Sequence, residues 1–149
     1  MIYLSQRDPR WQNITLGNSR YTIGRYGCTT TCISMLSDYF QCFQPPDAIA
    51  KSYCQYTLDG YILWNTLTLP RMGFKVRLYG QDDVAIQQAL KDPRQAVILN
   101  VSNGGHWVVA IRKTLFGNDY VCVDPWTGKI CLAKRDYRNI VGAAIFNLK

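Results

Sequence analysis

Three short apolar runs in the second half of the sequence constrain the fold more than any other feature. They span Ala96 to Val101, Trp107 to Arg112 and Tyr120 to Asp124, and short polar or glycine-containing loops separate them. Apolar runs of this length, bounded by turn residues, are typical of buried strands. A three-residue turn fits between the second and third runs, which predicts an antiparallel hairpin there.

Helical patterns precede these strands. Thr29 to Phe40 carries apolar side chains at helical spacing, Pro45-Pro46-Asp47 begins a second helix that extends to about Tyr53, and a third helix is predicted from about Tyr61 to Met72. Further strands are predicted at Phe74 to Tyr79 and at Gly142 to Leu148, with a short helix from Asp82 and Asp83 to about Lys91. Helices followed by a mostly antiparallel sheet predict the α+β class, and the absence of a linker or repeat predicts a single domain over residues 1–149.

The charged residues exclude several classes of enzyme. The chain has 17 Lys and Arg against 10 acidic residues, and every acidic residue is Asp. Without glutamate there is no HExxH metalloprotease motif, no pair of glutamates for a glycosidase and no glutamate-dependent deaminase site. The basic residues are dispersed, which favours a solvated surface over attraction to nucleic acid or to an anionic cell-wall polymer. No specific nucleic-acid partner is therefore expected.

The N-terminal residues and the cysteines bear on the compartment. The stretch MIYLSQRDPRW has no apolar signal-peptide core, and no window approaches the ~18 apolar residues of a membrane span. We therefore expect a soluble, cytoplasmic chain with no membrane span, whose 6 cysteines are reduced thiols. There is no CxxC motif and only 1 histidine, so we expect neither a metal nor another cofactor.

The single histidine, His106, follows Asn103-Gly-Gly where a loop enters an apolar strand. A lone histidine is more often structural than catalytic. Asp124 ends the following strand before a Pro-Trp turn, a position where aspartate also favours turns. The register of the hairpin decides whether these two side chains meet.

A hairpin loop at Leu115-Phe116-Gly117 predicts that Thr114 faces Asn118. Asp124 then lies opposite Val108, on the same face as His106 and one diagonal step away. A loop one residue longer or shorter would place the two side chains on opposite faces.

Cys28 follows Gly27 where a loop becomes the first strong helix. The positive end of a helix dipole stabilises a thiolate, and a nearby imidazole can hold that thiolate as an ion pair. Gly27 would let backbone and substrate approach closely, and the Cys28 N–H could donate to an oxyanion. With Asp124 orienting His106, the three side chains follow the logic of a catalytic triad. The alternative is that Cys28 is a small apolar residue at the start of a buried face.

Several segments resemble the papain-like cysteine peptidases, in particular the bacteriocin-processing, double-glycine leader peptidases and their stand-alone relatives. These segments are Gln6–Trp11, Tyr21–Gly24, Gly27–Leu36, Gly105–Val109 and Val123–Pro125 followed by Gly128. The resemblance implies a bacterial or phage hydrolase of papain-like fold, with an N-terminal helical half whose nucleophile helix packs on a C-terminal antiparallel sheet. It also implies that Cys28 is the nucleophile, His106 the base and Asp124 the residue that orients the base.

Family members use a glutamine upstream of the cysteine for the oxyanion hole. The resemblance implies Gln6 for this role, with Gln12 as the second candidate, and we expect Gly27, Gly105 and Trp126 to contact substrate. The sequence departs from the family in two ways. The transporter domains of the exporter-linked peptidases are absent, so a double-glycine leader is not implied as substrate, and Thr29-Thr30 follows the cysteine where relatives often have Gly-Pro.

The expected function is that of a thiol protease that cleaves a peptide or isopeptide bond in a peptide or protein through an acyl-enzyme on Cys28. One alternative is a catalytically silent papain-like domain that binds a peptide or a partner. Another is an amidase acting on cell-wall peptides, which would have to be released or virion-associated without a signal peptide.

Overall fold

Short helices occupy the first third of the chain, and a sheet is built from the rest. The computed structural model describes all residues, Met1–Lys149. The helical part contains α1 (Ile23–Tyr26), α2 (Cys28–Tyr39), α3 (Pro46–Ala48) and a π-helical turn (Ile49–Tyr53), followed by a small ladder of β1 (Gln55–Tyr56) with β2 (Ile62–Leu63) and a 3-10 turn (Trp64–Thr66). The remaining elements are β3 (Met72–Tyr79), α4 (Asp83–Lys91), β4 (Gln95–Val101), a 3-10 turn (Ser102–Gly104), β5 (His106–Lys113), β6 (Tyr120–Asp124), β7 (Lys129–Leu132), α5 (Ala133–Tyr137) and β8 (Ile140–Leu148).

All strand pairs of the main sheet are antiparallel. Its six strands lie in the order β3-β8-β4-β5-β6-β7. The last strand in the sequence, β8, therefore lies inside the sheet, where it pairs with β3 on one side and with β4 on the other. The structure confirms the α+β class and an antiparallel sheet.

Both faces of this sheet are covered, because successive side chains of a strand point to opposite faces. On one face, Ile33 and Leu36 of α2 belong to the same buried cluster as Ile98, Val109 and Phe146. On the other face, α4 and α5 cover a second cluster. Burial of each large apolar side chain contributes about 1.5–3 kcal/mol, so α2 is held chiefly by its packing on the sheet.

The prediction of a helix from Tyr61 to Met72 is wrong. Residues 61–66 alternate between exposed and half-buried positions, and in residues 67–70 Leu67 and Leu69 are inside and Thr68 is outside. The phase changes after the 3-10 turn at Trp64–Thr66, and on either side of that change the period is two and not the 3.6 of a helix. The Thr66 hydroxyl also fixes a local turn, because it donates to the Leu63 carbonyl and accepts from the Gln55 amide. The sequence likewise gave no indication of β7 or of α5.

The sequence prediction for the hairpin between β5 and β6 is wrong about the length of the loop and misses a bulge, and the two errors cancel in the register. The Thr114 amide donates to the Asp119 carbonyl at 2.9 Å, so the loop contains four residues and not three. A bulge between Ala110 and Arg112 leaves Ile111 unpaired and so adds one residue to β5, which compensates for the longer loop. Beyond this bulge Val109 pairs with Val123, which is the register predicted for the strand ends that carry His106 and Asp124.

α2 is the longest helix, with 12 residues. None of the helices combines the length and the apolar character that crossing a bilayer would require.

Replacing Gly27 with Ala should destabilise the protein by about 1–3 kcal/mol. An added Cβ would lie 2.6 Å from the Ile23 carbonyl oxygen and 2.7 Å from the Ile23 Cα, both of which are backbone atoms that move only with α1. The control is Gly105→Ala, because a Cβ there meets only the Ser102 carbonyl oxygen at 3.3 Å. Urea unfolding of the two variants tests this, and equal stabilities would contradict it.

Candidate active site

Cys28 is the first residue of α2 and lines a cleft of about 740 Å³. The cleft also receives residues from the start of β5 and from the turn after β6, among them His106 and Trp126. Because the first N–H groups of a helix have no intrahelical acceptor, the Cys28 amide is available to an oxygen bound in the cleft. The thiol is half-buried, so it is reachable from solvent.

A left-handed run of backbone brings His106 to the cleft. Ser102 and Asn103 both have φ of 54°, and Gly104 has φ of 93°. Asn139 supports this run, because its Oδ1 accepts from the Asn103 amide at 2.9 Å and its Nδ2 donates to the Asn103 Oδ1 at 2.6 Å. Non-glycine residues in this region cost on the order of 1 kcal/mol each, so the pairing with Asn139 holds a strained loop in place.

Asp124 is buried and accepts three hydrogen bonds. Its Oδ1 lies 2.8 Å from His106 Nε2 and also accepts from the Trp126 amide at 2.8 Å. Its Oδ2 accepts from the Tyr137 hydroxyl. Burial alone would raise the pKa of Asp124, but the bonds from His106, Tyr137 and Trp126 outweigh burial and lower it. The carboxylate is thus held ionised beside the imidazole.

These surroundings hold His106 in its protonated form. Burial acts to lower the pKa of His106, but the hydrogen bond with Asp124 and the influence of Cys28 raise it from 6.5 to about 9. Because Nε2 is bonded to Asp124, Nδ1 is the ring nitrogen left for the Cys28 sulfur. An imidazolium held by a buried carboxylate can supply a proton to a reacting group.

Tyr137 is the residue of this cluster that the sequence did not reveal. It lies in α5, and its ring centroid is 4.8 Å from that of His106. Burial and the neighbouring Asp124 raise its pKa, so the phenol remains a donor to the carboxylate. No motif marks Tyr137, and the helix that carries it was not predicted, so no sequence signal pointed to it.

Gln6 lines the cleft, and its amide already has acceptors. Its Nε2 donates to the Gly24 carbonyl at 3.2 Å and lies 3.4 Å from the Ile23 carbonyl, while its buried Oε1 has no partner. Its role as an oxyanion donor therefore stays a prediction. Gln12, the second candidate, does not line the cleft.

Two of the three residues expected to contact substrate line the cleft, and the third does not. Gly105 and Trp126 line the cleft, and Trp126 is 39% exposed. Gly27 is buried and is not among the residues that line it, so its contact with substrate stays a prediction. The close approach of Ile23 in α1 explains why this position has no side chain.

The other cysteines occupy ordinary packing positions. None of the 6 forms a disulfide; Cys32, Cys54, Cys122 and Cys131 are buried, and Cys42 is half-buried. Burial raises the pKa of Cys32 well above its usual value, which keeps this thiol protonated one helical turn after Cys28. No group of three or more His, Cys, Asp or Glu side chains could hold a metal ion.

Because His106 is the only histidine, its titration can be followed without assignment. We expect its imidazole NMR signals to titrate with a pKa of about 9. In Asp124→Asn and in Cys28→Ala the pKa should fall, since each variant removes one of the groups that raise it. Asp119→Asn, a buried aspartate that accepts from backbone amides, is the control and should leave the titration unchanged. A pKa near 6.5 in the wild type would contradict the site geometry.

The raised pKa of His106 also makes stability depend on pH. Its folded value of about 9 lies above the ordinary 6.5, so its contribution is complete below pH 6.5 and is lost as the pH rises through 9. The lowered pKa of Asp124 acts the other way, since its contribution is present above the usual 3.8 and is lost in acid. We expect the unfolding free energy to fall by about 2–3 kcal/mol from pH 6.5 to 9 in the wild type. Urea titrations of the wild type and His106→Asn test this, and parallel profiles would refute it.

No protein-family model matches the sequence, and no curated protein is detectably similar to it.

Proposed function

We propose that this chain is a papain-like cysteine peptidase that cleaves a peptide or isopeptide bond through an acyl-enzyme. One observation carries the proposal. Cys28, at the first position of a helix, lines the same cleft as His106, whose other side is bonded to the buried carboxylate of Asp124 at 2.8 Å. A thiol, an imidazole and an orienting carboxylate in this order are the components of nucleophilic acyl transfer.

In the acylation step, the Cys28 thiolate attacks the carbonyl carbon of the scissile bond. The electron pair of the C=O bond moves to oxygen, where the Cys28 amide can donate a hydrogen bond to it. When the tetrahedral intermediate collapses, the C–N bond breaks, and the leaving amine takes its proton from the His106 imidazolium. A thioester on Cys28 remains.

In the deacylation step, neutral His106 removes a proton from water, which attacks the thioester carbonyl. Collapse releases the substrate carboxylic acid and returns the thiolate and imidazolium pair. Asp124 takes part in both steps by keeping Nε2 occupied, so that Nδ1 faces the reacting atoms.

The lining of the cleft supports a peptide as substrate. Seven aromatic side chains line it: Tyr21, Tyr26, Tyr56, Tyr61, Trp64, Trp107 and Trp126. Aromatic walls with a few polar groups are typical of sites that bind extended organic ligands. The six free thiols suit a reducing compartment, so we extend the proposal to a cytoplasmic location.

The first test is the rate at which iodoacetamide alkylates Cys28 as a function of pH, located by peptide mapping. We expect Cys28 to react rapidly and selectively already near pH 6, and His106→Ala to lose this reaction, because the imidazolium that stabilises the thiolate is gone. Cys42, which is also half-buried, is the internal control in the same digest. Equal rates at the two cysteines, unaffected by His106→Ala, would refute the proposed pair.

Tyr137→Phe should reduce kcat/KM by roughly 5- to 20-fold, because Asp124 loses one donor while keeping two. The ring and its packing are retained, and urea unfolding of the variant separates a loss of stability from a loss of activity. Tyr120→Phe, which removes a hydroxyl bonded to Asp83 away from the cleft, is the matched control. Unchanged activity in Tyr137→Phe would remove Tyr137 from the mechanism.

One observation favours the alternative of a binding domain without turnover. The Gln6 amide donates to α1 carbonyls, so in this arrangement the oxyanion has the Cys28 amide as its principal donor. If Cys28→Ala binds peptides as the wild type does, and neither yields a cleaved product, the binding function replaces the peptidase.

A further inference from the structure

Arg77 is a cation in the cleft that no protein carboxylate neutralises. It projects from β3 on the face that also carries Trp107, and its guanidinium lies 4.7 Å from the Trp107 ring and 4.4 Å from that of Tyr79. None of the four ion pairs in the structure involves it. Burial lowers the pKa of Arg77, as expected for a cation partly removed from water without a counter-ion.

The surrounding backbone is shaped to hold this guanidinium. A Cβ at position 142 would collide with Arg77 Nη1, so Gly142 leaves the space through which the side chain passes. Nη1 donates to the Leu78 carbonyl and, at 3.4 Å, to the Ala143 carbonyl. These two carbonyls and the space left by Gly142 hold the guanidinium in one position.

Asn100 connects Arg77 to the strand end that carries His106. Its hydrogen-bond partners assign the orientation of its amide: the nitrogen donates to the His106 carbonyl at 2.9 Å and to the Gly104 carbonyl at 3.1 Å, and the oxygen accepts from Arg77 Nη2 at 3.2 Å. Asn100 is 6% exposed, so this link is internal. One side chain therefore separates the guanidinium from the His106 backbone.

The remaining donors of Arg77 fit a carboxylate. A guanidinium has five N–H groups, and the acceptors named above use three of them. The N–H of Nε and one N–H of Nη2 are left, and two donors of one guanidinium suit the two oxygens of a carboxylate. The other charged side chains that line the cleft are the exposed Arg25 and Asp59, so the cleft carries a net positive charge apart from the triad.

From these contacts we infer that Arg77 binds a carboxylate of the substrate, in the same cleft as the bond that Cys28 attacks. The inference rests on the proposed function for the identity of that bond. The carboxylate belongs either to the C-terminus of a short peptide or to an aspartate or glutamate side chain. The two sources share one chemistry, and matched peptides separate them.

Binding to the Cys28→Ala protein, measured by calorimetry, tests the inference without requiring turnover. The probes are acetyl-Ala-Ala-Ala with a free C-terminus and its amide, and acetyl-Ala-Ala-Asp-amide and its Asn counterpart. We expect the acidic member of at least one pair to bind about 10- to 100-fold more tightly than its neutral partner. The pair that shows the difference identifies the source of the carboxylate.

Adding Arg77→Met should remove this preference, whereas Arg25→Met, the matched cation of the same cleft, should retain it. Arg77→Lys should leave a weaker preference, since lysine keeps the charge but not the two-donor geometry; it also serves if the Met variant does not fold. Equal affinities within both pairs, no binding at millimolar concentrations, or a preference that survives Arg77→Met would each overturn the inference. If Cys28→Ala binds the acidic peptides selectively but the protein that retains Cys28 does not cleave them, only the proposed peptidase activity is refuted. The inference about Arg77 then stands.

Discussion

Replacing Cys28 with Ala is expected to abolish cleavage, lowering kcat/KM by a factor on the order of 10⁴ or more. No other thiol can substitute for it, because Cys32 is fully buried on the next turn of α2 and the cleft contains no second cysteine. Cys28→Ser should be similarly inactive, since a hydroxyl does not form the stable ion pair with an imidazolium that a thiol forms. The assay is the release of product from unfolded-protein and peptide substrates.

The control is Cys42→Ala, which removes a thiol of similar exposure outside the cleft and should retain full activity. Circular dichroism and urea unfolding must show that Cys28→Ala keeps its fold, as expected for a half-buried side chain that loses a single sulfur. Cleavage by a Cys28→Ala protein verified by mass spectrometry would end the proposed mechanism.

Asp124→Asn is expected to lower kcat/KM by about 10²- to 10⁴-fold. Asparagine is nearly the same size, but it lacks the charge that holds His106 protonated, and its NH₂ group would face one of the three donors that now surround the carboxylate. The pKa of His106 should fall in parallel, so the pH at which the protein loses activity in base should move downwards.

Asp119→Asn distinguishes loss of catalysis from loss of structure. Asp119 is as buried as Asp124, at 6% against 5% exposed, and it too accepts several hydrogen bonds, from the amides of Tyr120, Lys134 and Arg135. Its replacement should reduce stability while leaving kcat/KM per folded molecule unchanged. If both variants lose activity in proportion to their stability, Asp124 has only a structural role.

The sequence was sufficient to predict which residues would meet, although part of the reasoning was incorrect. The relation between His106 and Asp124 was predicted from a three-residue hairpin loop, whereas the loop has four residues and a bulge near Ile111 restores the register. A bulge depends on packing against both neighbouring strands, so no local pattern announces it. The α2 helix was easier to predict, because its apolar spacing and the preceding glycine are local signals.

Other parts of the site depend on contacts between distant segments. Tyr137 reaches Asp124 from a five-residue helix whose sequence, Ala-Lys-Arg-Asp-Tyr, has no apolar period. The amide of Gln6 is directed by carbonyls of α1, and Arg77 is placed by a glycine in β8. In each case the partner lies at least 13 positions away in the sequence, so composition and periodicity carry no information about it.

The central position of β8 has a consequence for how the chain matures during synthesis. The thiol-bearing helix leaves the ribosome early, but β3 has no partner in the main sheet until β8 has been made and inserted between β3 and β4. Folding that waits for such a distant pairing is slow. Until β8 has been inserted, a folding chain therefore carries Cys28 without a completed sheet behind it.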